Sequence, residues 1–121
     1  MRKNLDSIKN ILFDLDGTLT DSSEGIVRCL RYALEQLSLE CPPPSVLHSH
    51  IGPPVRSALS LIMKTEDAGL IEEALRLYRV RFSATGIYEN RIYEGIPETL
   101  AALRASSRRL FVATSKPLVF T

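Results

Sequence analysis

The stretch "ILFDLDGTLTDS", Ile11 to Ser22, sets three aspartates within eight positions directly behind an apolar run. Neighbouring carboxylates repel one another and resist removal from water, so a purpose for them has to be found elsewhere in the chain. "NILFDL" reads as a short buried strand, apolar and bounded by polar residues. In extended backbone, side chains two apart point the same way. Asp14 and Asp16 then share one face as the strand gives out, and Leu15 turns into the core.

A second apolar run, Leu110 to Ala113 in "LFVATSKP", ends in the small polar residues Thr114 and Ser115, with Pro117 close behind. Strand, helix and strand in that order predict parallel strands joined by a right-handed crossover. Open parallel sheets bind ligands at the carboxyl ends of their strands. If the two runs are neighbours, Asp14, Asp16, Thr114 and Ser115 meet at one crevice. Two close carboxylates suit a hard cation, and beside phosphate the usual one is Mg²⁺. Gly17 permits a sharp turn whose amides, at Gly17 and Thr18, face an anion, while Thr114 and Ser115 offer hydroxyls and amides to phosphate oxygens. A competing reading is a plain hairpin, because Asp-Gly is a strong hairpin-turn signal. A calcium loop is excluded: with Gly17 at the loop glycine, Leu12 and Ser23 fall where acidic ligands are required.

Between the two runs the pattern is helical. "DSSEGIVRCLRYALEQLSL" carries Ile26, Leu30, Ala33 and Leu37 on one face, with Arg28, Arg31 and Glu35 off it. Asp21 and Glu24 form a capping box at its start, and the prolines of "ECPPPS" stop it. "GPPVRSALSLIM" restarts a short helix with Val55, Leu59 and Ile62 aligned. "TEDAGLIEEALRLYRVRFSATG" is longer, with the stripe Ile71, Leu75, Tyr78 and Phe82 and with Gly86 as its stop. "GIPETLAALRASS" is a further helix opened by Pro97. These helices exceed what one crossover needs. The expected division is an α/β core of residues 1–20 and 87–121, incomplete, with a helical cap inserted at 21–86 and "GIYENRIYEG" as the return linker.

With 121 residues, 45% hydrophobic and 24% charged, the chain has an ordinary globular composition. Its net charge of +1 gives no support for a nucleic-acid or membrane-surface role. The N-terminal "MRKNLDSIKN" is basic, but the apolar run behind it is short and broken by Asp14, which makes neither a signal peptide nor a membrane span. Cys29 and Cys41 lack metal-ligand spacing, and a reduced, cytoplasmic setting follows. His48 and His50 have no constellation around them, and Arg108-Arg109 reads as a solvated edge.

"FDLDGTLTDS" resembles the first signature of the haloacid dehalogenase superfamily of phosphohydrolases, and "LFVATSKP" resembles its second, an apolar strand ending in Thr or Ser. The insertion resembles the helical cap of the phosphoglycolate phosphatase-like branch, as do "GPPVRSAL" and "TSKP". The resemblance implies an α/β fold: a partial Rossmann-like parallel sheet with an inserted helical cap. It implies that Asp14 attacks phosphorus to form an aspartyl-phosphate, and that Asp16 protonates the leaving oxygen and then deprotonates water. It further implies Mg²⁺ held by the Asp14 carboxylate and the Asp16 backbone carbonyl, with Thr114 hydrogen-bonded to the phosphoryl group. Lys116 lies next to this site, either as a phosphate ligand or as a solvated lysine at a helix start.

Members of that family continue past the second strand to a lysine that pairs with the nucleophile and to an acidic pair that completes the metal site. This chain reaches Thr121 before either. The expectation is the front part of a phosphatase, by truncation, frameshift or choice of fragment, with little activity alone. The leading function is Mg²⁺-dependent hydrolysis of a small phosphorylated metabolite, phosphoglycolate or a nucleoside 5′-monophosphate. The alternative is a non-catalytic remnant or phosphate-binding module; a phosphate-transferring mutase ranks third.

Overall fold

The structure, a computed structural model, describes residues 4–120. Arg2 and Lys3 of the basic N-terminus, and Thr121, lie outside them. Its elements run β1 (Asn10–Phe13), β2 (Thr20–Asp21), α1 (Ser23–Gln36), α2 (Pro44–Ser49), α3 (Val55–Met63), α4 (Ala68–Ala84), β3 (Arg91–Ile92), α5 (Ile96–Ala105) and β4 (Arg109–Val112). They fall into two compact units, Met1–Asp21 with Arg91–Thr121, and Ser22–Asn90.

In the first unit β1 and β4 pair in parallel, from Asn10↔Arg109 to Phe13↔Val112. The pairing continues one step further, where the Ala113 N–H donates to the Phe13 carbonyl at 2.7 Å. The result is α/β, with α5 leading into β4. The hairpin reading fails, since β2 pairs antiparallel with β3 and not with β1. Two-residue strands carry no periodicity, so a segment read as a return linker holds half of this second ladder. Arg108 is no solvated edge. Its guanidinium donates to the carbonyls of Ile8 and Leu5 and to the Ser106 hydroxyl, tying the start of the chain to β4.

In the second unit α1 packs most extensively on α4. Cys29, Leu30, Ala33 and Leu34 of α1 are buried, with Leu47, Leu59, Ile71, Leu75, Tyr78 and Phe82 from the other helices. Each large apolar side chain so buried contributes about 1.5–3 kcal/mol. The stripe expected on α4 is the one buried. On α1 the buried face is turned from the expected one, as Ile26 and Leu37 are only half-buried. Tyr78 and Phe82, one turn apart, stack with ring centroids 5.7 Å apart.

Three local readings need correction. The N-cap of α1 is Ser22, with no side-chain cap bond, because the Asp21 backbone is committed to the extended β2 pairing opposite Arg91. Helix α1 ends at Gln36, before the prolines, as Ser38 takes φ 56 and the Leu39 N–H bonds the Leu34 carbonyl. The prolines instead open α2, with Pro44 in its first turn, and His48 lies in that helix. Gly86 answers a need for space. A Cβ there would sit 2.6 Å from Cys29 Sγ, and one at Gly25 would sit 2.5 Å from the Gly86 carbonyl.

This close approach is flanked by an ion cluster. Glu89 accepts from Arg81 at 2.6 Å and from Arg28, which also pairs with Glu24, and Arg81 reaches Cys29 Sγ at 3.2 Å. The bond from Arg81 foremost, then that from Arg28, holds the Glu89 carboxyl below its ordinary range. A carboxyl lowered by folding adds stability above its unfolded pKa, about 4.3, and that stability disappears as pH falls through the folded value. Glu89→Gln is expected to lower the melting temperature by a few degrees at pH 7, with the difference from wild type closing below about pH 4. Thermal melts of both proteins across pH test this. A pH-independent gap would mean that the charge of Glu89 is not what stabilises the cluster.

Candidate active site

The turn behind β1 is organised by one carbonyl. The Leu15 oxygen accepts from the N–H groups of Thr18, Leu19 and Thr20 at 3.0–3.2 Å. Gly17 sits at φ 80 and donates its N–H to the Thr20 carbonyl at 2.8 Å. That left-handed conformation, not crowding, requires glycine, since nothing lies within 4 Å of where its Cβ would be. The fold-back ends the strand at Phe13 and leaves Asp14 exposed and Asp16 half-buried.

Asp14 lies just past β1, and its Oδ1 accepts the Leu15 N–H at 2.9 Å. Asp16 is reached from the other strand: Lys116 Nζ stands 3.1 Å from Asp16 Oδ1. The Lys116 side chain is 9% exposed and that of Asp16 39%. The lysine approach is set locally, because the Lys116 N–H donates to Thr114 Oγ1 at 3.1 Å and curls the chain just after β4. The structure thus brings Asp14, Asp16, Thr114 and Lys116 to the level carboxyl ends of two parallel strands. Ser115 is exposed beside them. The amides of Gly17 and Thr18, read from sequence as anion donors, are used inside the turn. The Asp16 N–H is left as the turn donor with no partner among the described residues.

The donors fit Mg²⁺ chemically: the Asp14 carboxylate and the Asp16 carbonyl are hard oxygens of the kind that ion takes. The Asp16 carboxylate is occupied by Lys116, so only the main chain of that residue is suited to the metal. Among the described residues no three His, Cys, Asp or Glu side chains group as a metal cage. Nor is any helix among them long and apolar enough to cross a membrane.

Residues 11–118 match the family model described as haloacid dehalogenase-like hydrolase. A 5′-nucleotidase of Pseudomonas aeruginosa is 50% identical over 113 residues, covering 92% of this chain and 50% of that protein. The tyrosine-protein kinase PtkA of Mycobacterium tuberculosis is 42% identical over 106 residues, covering 88% of this chain and 35% of that one. A phosphoglycolate phosphatase of Aquifex aeolicus is 35% identical over 106 residues, covering 88% and 48%. The solved structure of a haloacid dehalogenase-like family hydrolase from Streptococcus pneumoniae superposes with TM-score 0.83 at 34% identity, over 96% of this chain and 53% of that one. The chain spans about half the length of the first of these relatives.

Proposed function

The chain belongs to the haloacid dehalogenase-like hydrolases, and from that premise we propose that its site serves Mg²⁺-dependent hydrolysis of a small phosphomonoester. The observation that carries this reading is Asp14 at the exit of a parallel strand, two residues from a carboxylate held by Lys116 from the exit of the neighbouring strand. A nucleoside 5′-monophosphate is the first substrate to try, since the Pseudomonas aeruginosa relative is a 5′-nucleotidase. Phosphoglycolate is the second, after the Aquifex aeolicus relative.

Asp14 Oδ attacks phosphorus. The bond from phosphorus to the ester oxygen breaks with its electron pair on that oxygen, which takes the proton of Asp16. The Asp16 carboxylate then takes a proton from water as the water oxygen attacks phosphorus. The Asp14–phosphorus bond breaks, phosphate leaves, and both aspartates regain their starting forms. Thr114 and the Asp16 N–H hold phosphoryl oxygens. The Asp14 carboxylate and the Asp16 carbonyl would hold Mg²⁺, which when bound would supply positive charge to the phosphate, while the protein's own groups position the reactants.

Asp16→Asn is expected to lower hydrolysis of AMP by about 10²–10⁴-fold, the usual worth of a general acid–base group. Steady-state rates with Mg²⁺, and after removal of metal by EDTA, check this. The assay is run on the 121-residue chain and on any longer product of its gene. Phosphorylation of a tyrosine peptide from ATP, without AMP hydrolysis, would replace the hydrolase reading with that of the PtkA relative.

A further inference from the structure

We propose that Lys116 is a positioning residue for the Asp16 carboxylate rather than a ligand of the phosphate. The proposal rests on the phosphomonoester reading of the site. Lysine is normally a solvated point charge on a flexible stem, and fixing it costs rotamer freedom. Here its side chain is nearly covered, at 9% exposed, and its ammonium is spent on Asp16 Oδ1 at 3.1 Å. The bond from the Lys116 N–H to Thr114 Oγ1 fixes the backbone from which the side chain departs. The lysine therefore supports Asp16 from the covered side, while Asp16 itself stays 39% exposed.

The two oxygens of Asp16 are thereby made unequal. Oδ1 is engaged by Lys116, and Oδ2 has no partner among the described residues. In the proposed reaction the proton passed to the leaving oxygen, and later taken from water, belongs on Oδ2. A carboxylate free to rotate would present either oxygen, at variable reach. Proton transfer needs hydrogen-bond distance, and small misplacement of a reacting group costs up to about 10²-fold in rate. Thr114 acquires a second duty: its hydroxyl shapes the turn that delivers the lysine.

The test has two arms. In the first, the chain is acylated with a water-soluble N-hydroxysuccinimide ester, and modification of each lysine is followed by peptide mass spectrometry. Lys116 is expected to react at least several-fold more slowly than the exposed Lys64, to speed up several-fold in Asp16→Asn, and to be unaffected by inorganic phosphate with Mg²⁺. Protection of Lys116 by phosphate, with no effect of Asp16→Asn, would overturn the proposal. In the second arm, Lys116→Met is expected to lower kcat for AMP about tenfold to a hundredfold with KM unchanged. The loss should appear in breakdown of the aspartyl-phosphate with either ester, and in its formation only with AMP, because the p-nitrophenyl leaving group needs no proton; Lys116→Arg should restore part of it. A loss on both esters carried by KM counts against the proposal. If neither ester is turned over by any preparation, the phosphomonoester reading fails, while the acylation rates still decide whether Lys116 serves Asp16.

Discussion

Asp14→Asn is expected to lower hydrolysis of AMP and p-nitrophenyl phosphate by about 10⁴-fold or more, on the order of what removing the nucleophile costs other hydrolases. The amide cannot form the aspartyl-phosphate, and it removes the negative oxygen proposed to face Mg²⁺. The shape of the turn survives, because an asparagine Oδ1 still accepts the Leu15 N–H that Asp14 takes at 2.9 Å. Asp14 is exposed, so melting should change by no more than about 0.5 kcal/mol. Rates and thermal melts are measured on the same preparation. A wild-type-like melt with a residual rate above one-tenth would assign the attack to a different group.

The second large effect concerns the helical unit. Leu34 of α1 is 1% exposed, as is Leu30, and Leu47 and Leu59 are fully covered. Truncating such a side chain loses its transfer energy and leaves a void that the surroundings fill only in part. Leu34→Ala is therefore expected to destabilise the fold by about 2–5 kcal/mol. Leu61→Ala on α3, where the side chain is 64% exposed, should cost no more than about 0.5 kcal/mol. Urea titrations followed by helical circular dichroism separate the two. Equal, small costs would mean that α1 does not contribute the core described here.

What the residues disclosed in advance follows the range of the forces involved. The position of β1, the buried stripe of α4 and the parallel pairing were legible because runs of like residues obey one period and a handedness rule joins them; the burial expected of β1 is not found, as Leu12 is 66% exposed. The end of α1 was not, because Ser38 in the left-handed region stops the helix ahead of the more conspicuous prolines. Helix α2, six residues long, shows too few turns to print a stripe. The β2–β3 ladder rests on two residues a side, and its partners are far apart in sequence. At the site, the aspartates announce themselves by their cost. The contact of Lys116 with Asp16 spans 100 positions and depends on how the Thr114 hydroxyl bends the chain. A lysine four residues after a strand carries no mark of the carboxylate it will meet.

The register of the parallel pair also bears on how the molecule is made. Asn10 and Arg109 touch across 99 positions, whereas Ser22–Asn90 is one continuous stretch of helices. Closing the long loop costs chain entropy before any pairing returns it, while helical contacts form locally and fast. On the ribosome the helical unit can consolidate while β1, synthesised first, waits without a neighbour. At about 5–20 residues per second that wait lasts several seconds. During it the apolar run Ile11–Phe13 is an open strand edge, exposed to chaperones and to other nascent chains. Slowing synthesis after Asn90 lengthens that exposure and does nothing for the helices already in place.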